Sequence, residues 1–153
     1  MKVYRIAKKA YIKDLSGEGA KLYGGRWNKK GTAILYTASN RSLAIVEFLV
    51  HLPMALLPKD IYIIELTLPP RAKSQTIHAK DLVDNWKSYP ANYQLAEIGS
   101  KWILENKTLA LKVPSCVVQG EQNVLINPNH RLFNKVTISK IEPYNIDKRL
   151  RQQ

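Results

Sequence analysis

Ser42-Leu43-Ala44-Ile45-Val46-Glu47-Phe48-Leu49-Val50-His51 places one carboxylate in the middle of an apolar run. Ser39 or Asn40 ahead of it can cap a helix, and Pro53 behind it cannot continue one. The stretch is therefore expected to be a helix over about 41–52. Its apolar residues fall on almost every face, so the helix is expected to be buried. Glu47 would then be a buried carboxylate, which is costly unless it is paired or hydrogen-bonded. A structural ion pair with a core arginine, or a helix face that is wet, would meet that requirement as well as a site would. His51, one turn further on, could share a network with Glu47 or be a satisfied core histidine, and the second is favoured.

Outward from this helix the chain alternates between strand-like and loop-like segments. Lys2–Ile6, Ala33–Thr37 and Ile61–Leu68 read as strands, the last bounded by Pro58 and by Pro69-Pro70. Pro90 is expected to open a second helix at its first turn, with Ala91, Leu95, Ile98 and Trp102 on its inner stripe. Short strands follow at Leu109–Val113, Cys116–Val118, Asn123–Ile126 and Val136–Ile141. Helices early, strands late and hairpin-sized connections predict a compact α+β single domain built mostly on antiparallel pairing. The domain is expected to span 1–153, with a basic tail over 146–153 that frays. Residues 71–89 carry no recognisable motif.

Composition narrows the function. A 45% apolar chain of 153 residues can bury a core without metal or disulfide staples. Cys116 is the single cysteine, which excludes an intrachain disulfide. With no signal-like opening and no apolar run long enough to span a bilayer, a soluble cytoplasmic protein with no membrane partner is the simplest expectation. His51, His78 and His130 share no metal-ligand spacing, so no metal is expected. Neither a phosphate loop nor a dinucleotide fingerprint is present. The formal net charge of +12 favours an anionic ligand or partner. The basic residues are scattered, which counts against specific nucleic-acid binding by this chain alone.

Three other segments carry candidate chemistry. Asp14–Gly31 holds five of the seven glycines and includes Gly24-Gly25-Arg26-Trp27-Asn28. Such glycines serve unusual backbone conformations or close approach to a ligand. Arg26 offers a planar fork of donors suited to phosphate, although a tight turn with a solvated arginine would look the same. Trp27 either stacks on a ligand or anchors the loop in the core. Pro114-Ser115-Cys116 places a hydroxyl between two strand-like stretches, with nothing nearby in sequence to activate it. Asn127-Pro128-Asn129-His130 is turn chemistry by composition, with His130 at most a supporting group.

Taken together, Gly17-Glu18-Gly19-Ala20, Tyr23-Gly24-Gly25-Arg26-Trp27-Asn28, Gly31, Tyr36-Thr37-Ala38, Ser42-Leu43-Ala44 and Glu47 with His51 resemble the front half of the RES domain. Val113-Pro114-Ser115, Asn123 to Pro128, His130, Asp147 and Arg149 resemble its back half. The resemblance implies a fold similar to ADP-ribosyltransferase toxins. It implies the toxin of a toxin–antitoxin system, cleaving NAD at the nicotinamide–ribose bond by hydrolysis or phosphorolysis. NAD would be the substrate, with no separate cofactor, and the partner an Xre-like helix-turn-helix antitoxin. Arg26, Tyr36, Glu47 and Ser115 would form the active-site set, and Gly24, Gly25, Trp27 and Asn127 would add substrate contacts. Transfer of ADP-ribose to a macromolecule is the alternative, and a basic nucleic-acid-binding module a more distant one.

Overall fold

The computed structural model describes residues 1–52, 58–147 and 149. Among them, β1 (Lys2–Lys8), β2 (Leu35–Ala38), β3 (Ile61–Thr67), β4 (Ser74–Thr76), β5 (Ala110–Pro114), β6 (Gln122–Ile126) and β7 (Thr137–Pro143) form one sheet in the order β4-β5-β6-β2-β1-β3-β7. Every pairing is antiparallel except β4 with β5. The helices are α1 (Glu18–Tyr23), α2 (Arg41–Val50) and α3 (Tyr93–Glu105). The predicted α+β class with mostly antiparallel strands is therefore the class observed. Cys116–Val118, predicted as a strand, is instead part of the loop joining β5 to β6.

Register decides which side chains share a face. Tyr36 lies opposite Leu125, Ala38 opposite both Asn123 and Tyr4, and Val113 opposite Asn123. Side chains alternate along each strand, so these residues point to one side of the sheet. Two separate covers sit on that side. Over β5 and β6, Leu111, Val113 and Leu125 pack with Trp27, Ile34, Trp86, Leu95, Trp102 and Ile103. Over β1 and β3, Ile6, Ile61 and Ile63 pack with Leu43 and Ala44 of α2 and with Ile146. The opposite side buries Val3, Leu35, Ile64, Leu66, Val124 and Ile126 with Ile12.

α2 starts as expected: the Asn40 side chain accepts the Leu43 N–H at 2.8 Å. Pro53, the expected stop, lies outside the described residues. The expected burial of this helix is corrected. Only Leu43 and Ala44 are buried, the residues from Ile45 to Leu49 are half-buried, and Val50 is exposed. One helix flank faces an open cleft, so an apolar residue there is not evidence of enclosure. The fraying expected for 146–153 is also corrected at its start, because Ile146 is 5% exposed and packs beneath α2. The other tail residues 148 and 150–153 lie outside the described residues.

Two further differences have local causes. α1 lies within the predicted loop; none of its residues is buried, so it carries no apolar stripe that periodicity could detect. α3 is capped by Asn92, whose side chain accepts the Gln94 N–H at 2.9 Å, so Pro90 precedes the helix rather than opening it. Its inner face is Leu95, Ala96, Gly99, Ser100, Trp102 and Ile103, whereas Ile98 is exposed and Ala91 lies ahead of the helix. Small residues face inward because the backbone of the Gly-Arg loop rests there. A Cβ on Gly99 would stand 1.8 Å from the Trp27 carbonyl oxygen, and Ser100 Oγ accepts the Lys29 N–H at 3.0 Å.

Gly99→Ala sets two effects against each other. Alanine is the better helix former by about 1 kcal/mol, while the overlap with backbone forces a displacement that costs about 1–3 kcal/mol or more. At such a short separation the overlap dominates. Thermal unfolding should show a Tm below that of the parent, and an unchanged or raised Tm would contradict the packing described here.

Candidate active site

The Gly-Arg loop is held by its own side chains. Tyr36 donates its hydroxyl hydrogen to Asn28 Oδ1 at 2.8 Å and accepts the Trp27 N–H at 3.0 Å. Asn28, 1% exposed, donates through Nδ2 to the carbonyls of Ala20 and Thr32 at 2.7 and 3.0 Å. A Cβ on Gly25 would lie 2.8 Å from both Tyr36 Oη and Asn28 Oδ1. The glycine is therefore required by this hydrogen-bonded pair. Burial raises the Tyr36 phenol above its ordinary pKa, so the hydroxyl remains a donor. Trp27 is 3% exposed among Ile34, Trp86, Leu95 and Trp102, and its ring anchors the loop in the core.

Arg26 is half-buried at the loop's tip. Its two terminal nitrogens donate to the carbonyls of Trp86 at 2.7 Å and Ser88 at 3.0 Å. Residues 71–89, which have no motif in sequence, thus supply the arginine's acceptors. A guanidinium has five N–H donors, so these two bonds leave three for a ligand.

Glu47 lies on the half-buried flank of α2, not in an enclosed core. Its Oε1 accepts from Ser115 Oγ at 2.7 Å and from Asn123 Nδ2 at 2.6 Å. Among the described residues Oε2 has no hydrogen-bond partner, and no salt bridge involves Glu47. Ser115 is 2% exposed at the end of β5, and its Oγ also accepts the N–H groups of Val117 and Val118 at 3.1 and 3.0 Å. That hydroxyl is fully engaged, an arrangement for holding a neighbour rather than for attack.

Two cavities meet at this carboxylate. One, of about 480 Å³, is lined by Tyr4, Arg5, Ile6, Lys8, Tyr11, Phe48 and Leu52 among others. The other, of about 390 Å³, is lined by Gly19, Tyr23, Gly24, Gly25, Arg26, Trp27 and Cys116 among others. Tyr36, Glu47, His51 and Asn123 line both. Each volume is in the range of small-ligand sites. The cleft is the gap between the two covers of the sheet, and Tyr36 and Asn123 form its floor.

The structure brings Arg26, Tyr36 and Glu47 to this cleft, and Ser115 reaches it through Glu47. Gly24, Gly25 and Trp27 border the second cavity. Asn127 is a correction. It is fully buried at the far end of β6, roughly 13 Å along the strand from Asn123. Its side chain donates to Asn106 Oδ1 and accepts the Asn129 N–H, both at 2.9 Å, so it organises a turn. His130 lies at the same end, its Nδ1 accepting the Leu132 N–H at 3.2 Å, and burial lowers its pKa. His51 is exposed at the end of α2, not a core histidine.

Two residues at the site escaped sequence reasoning. Asn123 reads as a strand residue and as part of the Asn123–Pro128 run of the resemblance, but nothing in sequence gives it a place at the site. Arg5, also in a strand, donates to the Asp14 carbonyl oxygen, and burial lowers its pKa while Asp14 opposes the shift.

The cleft between the two covers of the sheet, bordered by the Gly-Gly-Arg loop and by a helix-borne glutamate held by a serine, gathers Arg26, Glu47 and Ser115, three of the residues on which the resemblance to the RES domain rests. The RES domain model matches residues 2–147, and the chain belongs to that family. It is 39% identical over 139 residues to the Prs ADP-ribosylating toxin of Sphingobium sp. (strain YBL2), covering 90% of this chain and 86% of that protein. It is 35% identical over 154 residues to the Toxin Res of Yersinia enterocolitica, covering 99% of this chain and the whole of that protein. The Toxin Res of Photorhabdus laumondii is 34% identical over 153 residues, 98% of this chain and 97% of that protein. The fold is also that of a chain in the crystal structure of the M. tuberculosis MbcT–MbcA toxin–antitoxin complex. That likeness has a TM-score of 0.69 at 15% identity, over 94% of this chain and 84% of that one.

Because Ser115 and Asn123 donate to one oxygen, their contributions should not add. Ser115→Ala and Asn123→Ala are each expected to destabilise by about 1–2 kcal/mol. In a double-mutant cycle measured by urea unfolding the pair should depart from additivity by more than about 0.5 kcal/mol. Strict additivity would mean that the two bonds are not coupled through Glu47.

Proposed function

We propose that the chain is the toxin of a toxin–antitoxin system and that it breaks the bond between nicotinamide and ribose in NAD. The observation that carries the reading is the asymmetry of Glu47: Oε1 is fixed by two donors, Oε2 has no partner among the described residues, and the residue lines both cavities. Cleavage of an N-glycosidic bond develops positive charge on the ribose. A fixed carboxylate oxygen facing that sugar stabilises the charge without reorganising. Nicotinamide leaves with the electrons of the C–N bond as a neutral base, so no second carboxyl group is needed to protonate it. Arg26, with three donors remaining, holds a phosphate of the pyrophosphate, and the Tyr36 ring packs against the nicotinamide or ribose. Ser115 positions Glu47. Water or phosphate then takes the ribosyl carbon.

Transfer of ADP-ribose to a macromolecule is the second reading, favoured by the description of the Sphingobium relative as an ADP-ribosylating toxin. The same residues would serve. The fold shared with a chain from a toxin–antitoxin complex supports an antitoxin as partner; the resemblance to the RES domain makes that partner an Xre-like helix-turn-helix protein.

Glu47→Gln keeps the side chain's shape and removes its charge. Nicotinamide release from NAD by the folded variant should fall by about 100-fold or more in kcat; turnover near that of the parent would reject the reading. Arg26→Ala should mainly raise KM, and a loss confined to kcat would assign the arginine to the chemical step. Free ADP-ribose, its phosphate or a labelled macromolecule among the products distinguishes the acceptors.

A further inference from the structure

We propose that Glu121, paired with Asn40, is a positioning residue for Glu47; the inference rests on the catalytic reading of Glu47. The loop between β5 and β6 grips α2 at two points. At its start Ser115 donates to Glu47 in the middle of the helix. At its end Glu121 Oε2 accepts the Asn40 side-chain Nδ2–H at 2.8 Å. Asn40 is the cap of α2, and with Nδ2 turned to Glu121 its Oδ1 faces the Leu43 N–H at 2.8 Å. An amide can present its oxygen on one side only, so the Glu121 contact selects the orientation that caps the helix. The two ends of the loop are also joined, because the Ser115 N–H donates to the Glu121 carbonyl oxygen at 2.9 Å. A closed circuit results: Glu47, Ser115, Glu121, Asn40, the first turns of α2, and back to Glu47.

The circuit has a mechanical consequence. A helix held at one point can rotate about that point or slide, which moves a side chain by an ångström or more. A helix held at its cap and again seven residues later can do neither without breaking a bond. Misplacement by about 1 Å can cost on the order of 100-fold in rate. Glu121 itself is half-buried, lines neither of the two cavities that meet at Glu47, and acts through Asn40.

The test uses paired variants. Asn40→Asp keeps an excellent helix cap but loses the Nδ2 donor and sets two carboxylates against each other. Asn40→Asp with Glu121→Gln restores the bond with its polarity reversed, the glutamine amide donating to the aspartate. The single variant should show kcat for nicotinamide release reduced by about tenfold or more, with KM for NAD within about twofold. The double variant should recover most of that loss. A merely structural role would move Tm and leave kcat, measured well below Tm, unchanged. The proposal is overturned if Asn40→Asp turns over like the parent, or if the double variant is as impaired as the single. Should Asn40→Asp fail to fold, Glu121→Ala against Glu121→Gln gives the same contrast: the glutamine, which still accepts from Asn40, keeps its kcat and the alanine loses it. Failure of the catalytic reading itself shows separately, as a Glu47→Gln variant that retains full activity.

Discussion

A single carboxylate oxygen joins the two halves of the cleft. Glu47 Oε1 takes one hydrogen bond from the end of β5 and another from β6, while the residue itself belongs to a helix that packs on β1. Apart from that junction, α2 packs on the sheet through Leu43 and Ala44 at its buried end, with Ile45, Phe48 and Leu49 partly buried against the same cluster. Burying a lone carboxylate costs several kcal/mol; here the cost is limited in two ways. One oxygen has strong donors, and the residue is half-buried at the border of two cavities instead of enclosed in hydrocarbon. A carboxylate so placed needs no cationic partner, and an ion pair, the structural alternative for Glu47, is absent among the described residues. The arrangement also leaves one oxygen available to a ligand.

The second constraint is the space allowed to the Gly-Arg loop. Its backbone is pressed between α3 and β2 so closely that Gly99 on one side and Gly25 on the other admit no Cβ. Within that space Asn28 is used to saturation, with donors on the carbonyls of Ala20 in α1 and of Thr32 and its acceptor on the Tyr36 hydroxyl. Tyr36 therefore has two roles at different atoms. Its oxygen fixes the loop, and its ring borders both cavities. Arg26 is presented at the tip because everything behind it is immobilised, down to the carbonyls of Trp86 and Ser88 that orient its plane.

These constraints explain what sequence could reveal. Strands β1, β2, β3, β5, β6 and β7 and the start of α2 were legible because alternation, capping and proline punctuation act locally. Glu47 was legible as an anomaly for the same reason, since a carboxylate in an apolar run stands out. Its surroundings were not. Asn123 and Ser115 meet it from 76 and 68 residues away, and an asparagine in a strand looks like any other. Periodicity placed Leu95 and Trp102 on the inner face of α3 but missed Ala96, Gly99 and Ser100 there, because small residues serve contact with backbone, which hydrophobicity does not measure. It passed over α1 because that helix buries nothing. Asn127 was misplaced for a geometric reason: four residues along an extended strand carry it to the opposite end of β6 from Asn123.

Charge in the cleft follows from where the acidic residues are spent. Glu18, Glu65, Glu97, Glu105, Glu142 and Asp147 form surface ion pairs with lysines and arginines. Glu47 is the sole carboxylate among the described residues lining the two cavities, against Arg5, Lys8 and Arg26. Such a cleft favours anionic ligands, and cations at partly desolvated sites are screened less than those on the open surface. Under the proposed reaction the polarity is ordered as the chemistry requires. The phosphates, negative throughout, meet the cations, while the ribose, which becomes positive only in the transition state, meets the one fixed anion. A carboxylate placed among the phosphate contacts would oppose binding, and a cation beside the ribose would oppose bond cleavage. The scattered excess of basic residues across the rest of the surface adds to the attraction without deciding its geometry, which Glu47 and the bonds that hold it determine.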